Sequence, residues 1–111
     1  MAIKRIQEEE NASYFITFTC VKWISLISEA ENYEAFYKWF KYLKTIDVKV
    51  LAYVIMPNHF HAIFHIPTNC PKTINQIVSN GKRFIAYDIV KQLGLKNNEK
   101  LLNFLFEKWL Y

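Results

Sequence analysis

Three stretches of the chain carry the residue patterns of β-strands. SYFITFTCV at 13–21 alternates between two sets of side chains, which is the period of a half-buried strand. VKVLAYVIM at 48–56 and HFHAIFHI at 59–66 are rich in β-branched and aromatic residues, and only Pro57 and Asn58 separate them. Because so short a link suits antiparallel neighbours, we predict a tight hairpin over 48–66.

Three other stretches repeat apolar residues at three- and four-residue intervals, which predicts amphipathic α-helices. The first extends from Glu29 to Ile46, with lysines on its other faces. The second begins near Pro71, a residue suited to a first helical turn, and ends at Gly94, a residue suited to a helix end. The third covers 99–110.

The order strand, helix, strand, strand, helix predicts an α+β fold of the ferredoxin-like type, an antiparallel sheet with helices packed on one face. The chain has 111 residues, the length of a single domain. Three strands are few for such a sheet, so we expect a further edge strand from the N-terminus or from a partner chain. The final helix has no later segment to pack against, which either dimerisation or truncation of a longer parent explains.

Composition narrows the class of protein. Hydrophobic residues make up 52% of the chain, enough for a packed core without disulfides or metals as supports. The longest apolar run, at 50–57, is too short to cross a membrane, and the N-terminal MAIKRIQEEE lacks the apolar centre of a signal peptide. We therefore expect a cytoplasmic protein with no membrane partner. Cys20 and Cys70 lack a metal-binding spacing and are interpreted as reduced structural thiols.

The net charge of +4 is compatible with nucleic-acid binding but does not establish it. The second half is the basic half, because the stretch 68–95 has one acidic residue against four basic ones, Lys72, Lys82, Arg83 and Lys91. Lys82 and Arg83 are candidate phosphate contacts on the second helix, with a merely solvated helix face as the alternative. The aromatic residues of 33–42 follow a core spacing, which leaves Trp39 and Tyr42 as candidates for exposed, base-stacking positions.

Two histidines lie one residue apart in the second strand of the hairpin, within MPNHFHAIF. Side chains alternate along a strand, so His59 and His61 share one face, about 6.5 to 7 Å apart, while Phe60 faces the core. A single metal ion can bridge two imidazoles that lean together. His65 continues the same face but, at roughly 13 Å from His61, is too far to join them. We expect a third ligand from the helix packed over that face.

The alternative is that both histidines are structural, each hydrogen-bonded to backbone or water. Two neutral imidazoles buried in a strand without partners would cost desolvation free energy, and Val or Ile would suit an apolar strand better. Their placement beside a turn, near solvent, therefore favours a site.

The block VLAYVIMPNHFHAIFHIP resembles the signature of the HUH-type single-domain transposases, the IS200/IS605 and REP-associated tyrosine transposase families. In these proteins a histidine, a hydrophobic residue and a histidine follow a strand that ends in Met-Pro-Asn or Met-Pro-Ser. The similarity extends upstream to YFITFTC and downstream to INQIVSNGKRFIAYDIV, where Lys82 occupies the position of a family lysine. It covers residues 13 to about 93.

The resemblance implies a metal-dependent DNA transposase domain. His59 and His61 would bind Mg²⁺ or Mn²⁺, and the metal would polarise a phosphodiester of single-stranded or hairpin DNA. A tyrosine hydroxyl would then attack, leaving a 5′-phosphotyrosine link. The family works as homodimers on hairpin-forming DNA ends, which implies a homodimer here.

The family's nucleophilic tyrosine lies on a later helix, in Tyr-Ile-x-x-Asn-Pro or Tyr-Ile-x-x-Gln, and neither motif occurs in this chain. Residues 1–111 are therefore interpreted as one transposase-like domain without that C-terminal segment. Tyr111 lies at a comparable distance downstream but lacks the motif. Tyr87 is the candidate nucleophile within the chain, because Arg83 and Lys91 at four-residue spacing lie beside it on the predicted helix. A tyrosine at the core boundary is the alternative.

Two rival hypotheses stay open at this point. In the first, the chain is a DNA-binding remnant of the fold that recognises a hairpin without cutting it. In the second, it is a small α+β interaction module with structural histidines. Endonuclease or transposase activity requires that the full protein supplies the tyrosine.

Overall fold

The computed structural model describes residues 2–5 and 12–109, which form four β-strands and four α-helices. In chain order these are β1 Ala2–Arg5, β2 Ala12–Thr19, α1 Leu26–Ala30, α2 Tyr33–Thr45, β3 Lys49–Ile55, β4 His59–Ile66, α3 Ile74–Leu95 and α4 Glu99–Trp109. A single 3₁₀ turn, Val21–Trp23, links β2 to α1. The predicted α+β class is confirmed. Among the described residues, no helix has both the length and the apolar character that crossing a bilayer requires.

The strands form an antiparallel sheet in the order β1-β2-β4-β3. Its centre is the three-stranded unit β2-β4-β3, and β1 extends it at one edge, so the additional N-terminal strand expected from the sequence is present. The predicted hairpin is also confirmed, because β3 pairs with β4 and the N–H of Met56 donates to the carbonyl of His59 at 2.8 Å across the turn.

The hydrophobic core lies on one face of this sheet. Alternate residues of β2 and β4 are buried there, and the helices supply the opposing side chains. The sheet contributes Ile16, Phe18, Phe60, Ala62, Phe64 and Ile66, and the helices contribute Leu26, Ile27, Phe36, Trp39, Leu43, Ile77, Val78, Ile85, Ile89, Leu93 and Leu105. We call this side of the sheet the helix face. The opposite side of the sheet carries the histidines, and we call it the histidine face.

The prediction of a single helix over 29–46 is wrong, because α1 and α2 are separate helices. Glu31 adopts a left-handed φ of 52° between them, which ends α1. Asn32 follows, 2% exposed, and its amide donates to the carbonyl of Ile85 at 3.5 Å. The break lets both helices turn apolar residues toward one core, and the apolar spacing continues across it, so periodicity alone does not detect it.

The predicted ends of the second helix are also wrong by a few residues. Thr73 and Gln76 form a capping box that starts α3 two positions after Pro71, with Gln76 N–H donating to the Thr73 hydroxyl at 3.2 Å. Gly94 lies inside the helix. The chain turns instead at Asn97, where φ is 56°, and the Asn98 N–H donates to the Leu93 carbonyl at 2.9 Å.

Helices α2 and α3 approach closely where Gly81 faces Trp39. A Cβ atom on Gly81 would overlap the Trp39 indole. Trp39 is consequently buried, 4% exposed, which corrects its assignment as a candidate base-stacking residue. Tyr42, the other candidate, is exposed.

Candidate metal centre

The turn before β4 is held by hydrogen bonds to two other elements. The Pro57 carbonyl accepts from the N–H groups of Ile27 and Ser28, at 3.0 and 3.2 Å, in the first turn of α1. These N–H groups lack partners within their own helix, so the turn satisfies them. The Asn58 carbonyl accepts from the Cys20 N–H at 2.9 Å, just beyond β2. The start of β4 is therefore fixed against both α1 and the end of β2.

The two imidazoles of the predicted pair lie together on the histidine face. The ring centroids of His59 and His61 are 4.8 Å apart, and the ring planes are inclined at 73°. Both side chains are half-buried, while Phe60 between them is fully buried on the helix face. The rings lean closer than the strand repeat alone requires, as a shared metal ion needs.

A side-chain amide sets the tautomer of His59. Its Nδ1 lies 2.7 Å from Oδ1 of Asn58. Asn58 is itself oriented, because its Nδ2 donates to the Trp23 carbonyl at 3.3 Å. An amide oxygen only accepts, so Nδ1 of His59 carries the proton and Nε2 carries the lone pair. Metal-binding histidines have this arrangement, in which the second ring nitrogen donates to a fixed acceptor.

The second histidine has a comparable partner across the sheet. Nδ1 of His61 lies 3.1 Å from the hydroxyl of Thr17, its opposite residue on β2. The ring of Phe15 stacks on His61 at 5.5 Å. Nδ1 of His61 is thus engaged, and no described residue hydrogen-bonds to Nε2 of either histidine. The Thr17 hydroxyl can accept as well as donate, so it is compatible with a proton on Nδ1 of His61. In that tautomer the pair presents two Nε2 ligands.

The 3₁₀ turn forms one border of the pair. Lys22 and Trp23 both adopt left-handed φ angles, 50° and 59°, a backbone conformation that costs free energy for residues other than glycine. This conformation brings the Trp23 carbonyl to Asn58 and the Trp23 ring to the edge of His59, at 6.0 Å. The indole is 64% exposed. An accessible aromatic surface therefore adjoins the imidazoles.

The expectation that an overlying helix provides a third ligand is wrong. The helices pack on the helix face, and the histidines point to the other side. His65 lies on the histidine face but pairs with Ser13, its Nδ1 being 3.2 Å from the Ser13 hydroxyl. Within 2–5 and 12–109, no cluster of three or more His, Cys, Asp or Glu side chains could hold a metal. The described residues therefore fit a metal as a half-site with two nitrogen ligands.

The other predicted residues lie elsewhere. Lys82, Arg83 and Tyr87 are exposed on α3, which belongs to the helix layer, and Tyr87 is 69% exposed. No described contact joins any of them to the histidine pair. Tyr111, the terminal tyrosine, lies outside the described residues.

Sequence reasoning did not identify Asn58 and Thr17 as partners of the histidines. The sequence did indicate Asn58, because Asn58 directly precedes His59 in the Met-Pro-Asn turn. No sequence pattern indicated Thr17, because its contact with His61 depends on the pairing of β2 with β4.

Comparisons with protein-family models, with curated proteins and with solved structures found no match to this chain. The geometry of the histidine face and the sequence pattern around it are therefore the features that bear on function.

Proposed function

We propose that this chain is an HUH-type domain that binds a divalent cation, Mg²⁺ or Mn²⁺, through Nε2 of His59 and His61, and through it a phosphodiester of single-stranded or hairpin DNA. The observation that carries the proposal is the matched pair of oriented imidazoles. Both Nδ1 atoms are engaged, by Asn58 and by Thr17, and the rings lie 4.8 Å apart on a face that no described helix covers.

The charge of a divalent cation at the histidine pair would favour an anionic substrate. When bound, the cation would supply Lewis-acid polarisation of a phosphate oxygen. Two neutral imidazoles do not compensate the charge of a divalent ion, so an anionic group is a favourable additional partner. No acidic side chain among the described residues completes the site, which leaves that place to the substrate.

The surroundings of the pair suit unpaired nucleotides. Trp23 and Phe15 border it and are 64% and 38% exposed, so bases could stack on them. The net charge of +4 favours binding to a polyanion. We propose Lys82 and Arg83 as further phosphate contacts, on DNA that extends beyond the histidine face.

The fold supports the same proposal at a coarser level. The order β2-α2-β3-β4-α3 is the strand and helix order of the ferredoxin-like arrangement, and β1 occupies the sheet edge beside β2. We propose that the sheet is a ferredoxin-like variant in which the N-terminal strand supplies the additional edge.

Metal-dependent DNA binding is better supported than strand cleavage. Cleavage requires a nucleophile beside the phosphodiester, which would lie at the histidine pair. Tyr87 lies in the helix layer, on the opposite side of the sheet from His59 and His61. A DNA-binding remnant is accordingly the second candidate function.

The binding proposal is tested by calorimetry with Mn²⁺ and by retardation of a labelled hairpin DNA. His59→Ala and His61→Ala should each remove the Mn²⁺ heat and the Mn²⁺-dependent DNA binding. His65→Ala is the matched control, since His65 lies on the same face with its own hydroxyl partner. Equal losses in all three variants, or a wild-type protein that binds no Mn²⁺, would overturn the proposal.

The enzyme and the remnant are separated on a denaturing gel after incubation with Mn²⁺ and labelled hairpin DNA. A covalent adduct that Tyr87→Phe abolishes would identify Tyr87 as the nucleophile. An adduct that survives Tyr87→Phe would assign the reaction to another tyrosine. DNA binding without an adduct would identify the described chain as the remnant.

A further inference from the structure

A cavity of about 340 Å³ opens between the end of β2, α1 and α3. Its inner wall is apolar and includes Phe18, Leu26, Ile27, Phe36, Ile85 and Ile89. Each of these side chains is less than a tenth exposed and belongs to the hydrophobic core. The cavity is thus an extension of the core that reaches the surface on the helix side of the sheet.

The size and lining of the cavity favour an apolar occupant. Protein interiors are close-packed, and voids larger than a water molecule are few. Apolar walls offer water few hydrogen-bond partners, so water fills such a cavity unfavourably. Small-molecule sites usually have volumes of about 300 to 1,000 Å³ and mostly apolar walls with a few polar groups. The cavity lies within this range.

One charged side chain lines the cavity. Lys82 is exposed and extends from α3, and within 2–5 and 12–109 no ion pair joins it to an acidic residue. The other polar side chains of the lining are the Thr19 hydroxyl and the Cys20 thiol. An apolar chamber with a single cation is complementary to a molecule with an apolar body and one negative charge.

We propose that this cavity binds an amphiphilic carboxylate of medium chain length. The alkyl body would lie among Leu26, Ile85 and Ile89, and the carboxylate would pair with Lys82 at the surface. This site is on the helix side of the sheet, so it is distinct from the histidine pair, and it shares Lys82 alone with the proposed DNA contacts. Binding there requires neither metal nor DNA.

The test uses three ligands with the same tail and different heads: decanoate, decanol and decyltrimethylammonium. Titrations of the full chain, without metal or DNA, are followed by the methyl NMR signals of Leu26, Ile85 and Ile89. Val54 and Ile63 provide internal controls, since they lie on β3 and β4. We expect decanoate to bind most tightly and to shift the cavity methyl signals, with Val54 and Ile63 unchanged.

Lys82→Ala tests the role of the charge. It should weaken decanoate about two- to fivefold, as loss of one exposed ion pair would, and leave decanol unchanged. Lys91→Ala, an exposed lysine of α3 that does not line the cavity, should change neither ligand. Equal affinities for the three heads, or equal effects of the two lysine variants, would overturn the proposal.

Ala86→Leu tests the cavity itself, because Ala86 lines it on α3 and leucine is a good helix former. The larger side chain should reduce the affinity for decanoate and decanol alike. Unchanged binding in a folded Ala86→Leu variant would contradict binding in the cavity. The head-group series decides the question independently if that variant does not fold.

Discussion

Nδ1 of His59 lies 2.7 Å from the side-chain oxygen of Asn58, the residue directly before it. The Asn58 amide is held in turn by the Trp23 carbonyl. A chain of three groups thus begins at the backbone of the 3₁₀ turn and ends at the imidazole, and it presents Nε2 as the ligand atom. The role of the Met-Pro-Asn turn is therefore to orient a histidine as well as to reverse the chain.

Asn58→Ala should weaken Mn²⁺ binding about 10- to 100-fold, the usual cost of removing the group that orients a ligand histidine. Asn58→Asp keeps an oxygen acceptor for Nδ1 of His59 but loses the Nδ2 donor to the Trp23 carbonyl, so it should recover only part of the affinity. Calorimetry gives both dissociation constants, and ¹⁵N NMR of His59 reports whether the proton has left Nδ1. If Asn58→Ala binds Mn²⁺ like the wild type, the amide has no orienting role.

Thr17→Val should also weaken Mn²⁺ binding, by about tenfold or more, because it removes the hydroxyl partner of His61 with little change in shape. Ser13→Ala is the matched control, since Ser13 holds His65, which lies outside the proposed site. Both variants are measured by the same calorimetric titration. A larger effect of Ser13→Ala than of Thr17→Val would contradict the assignment of the pair.

The two glycines should respond to alanine with opposite signs. Gly81→Ala forces a Cβ atom into the Trp39 indole and should destabilise the fold by about 1 to 3 kcal/mol. Gly94→Ala meets no atom within 4 Å and lies inside α3, so it should stabilise the fold by about 0.5 to 1 kcal/mol. Urea denaturation measures both free energies of unfolding. Equal effects would contradict the close approach of α2 and α3.

Phe60→Ala should destabilise the protein by about 3 to 5 kcal/mol, because the Phe60 ring is fully buried between the sheet and α2. Phe15→Ala is a control on the same sheet, since Phe15 is 38% exposed on the histidine face and should cost much less. Urea denaturation of both variants tests which face of the sheet is the core.

Burial raises the pKa of the Cys20 thiol above its ordinary value, against the opposing effect of backbone hydrogen bonds from Leu26 and Ile27. The unfolded chain therefore loses this proton at lower pH than the folded chain does. The free energy of unfolding should fall as the pH rises from the ordinary thiol pKa toward the raised one. Urea denaturation at several pH values, compared with Cys20→Ala, isolates this dependence, and identical curves would contradict it.

Local periodicity was sufficient to predict the features that depend on near neighbours in the chain. A strand alternates every residue, so the sequence determined that His59 and His61 share a face and that Phe60 faces the opposite way. The hairpin over 48–66 followed from two β-rich runs with a two-residue link. The need of a short sheet for another strand predicted an additional edge, from the N-terminus or from a partner chain, and the structure supplies it as β1.

Only the tertiary structure decided which face of the sheet the helices cover and which groups meet across it. Thr17 contacts His61 from 44 residues away, so this pair depends on the register of β2 against β4. The burial of Trp39 depends on Gly81, a residue of another helix. The break at Glu31 escaped the apolar pattern because a left-handed residue changes the direction of the chain without changing which residues are apolar. Contacts between distant segments are set by packing of the whole core, which periodicity along one segment does not encode.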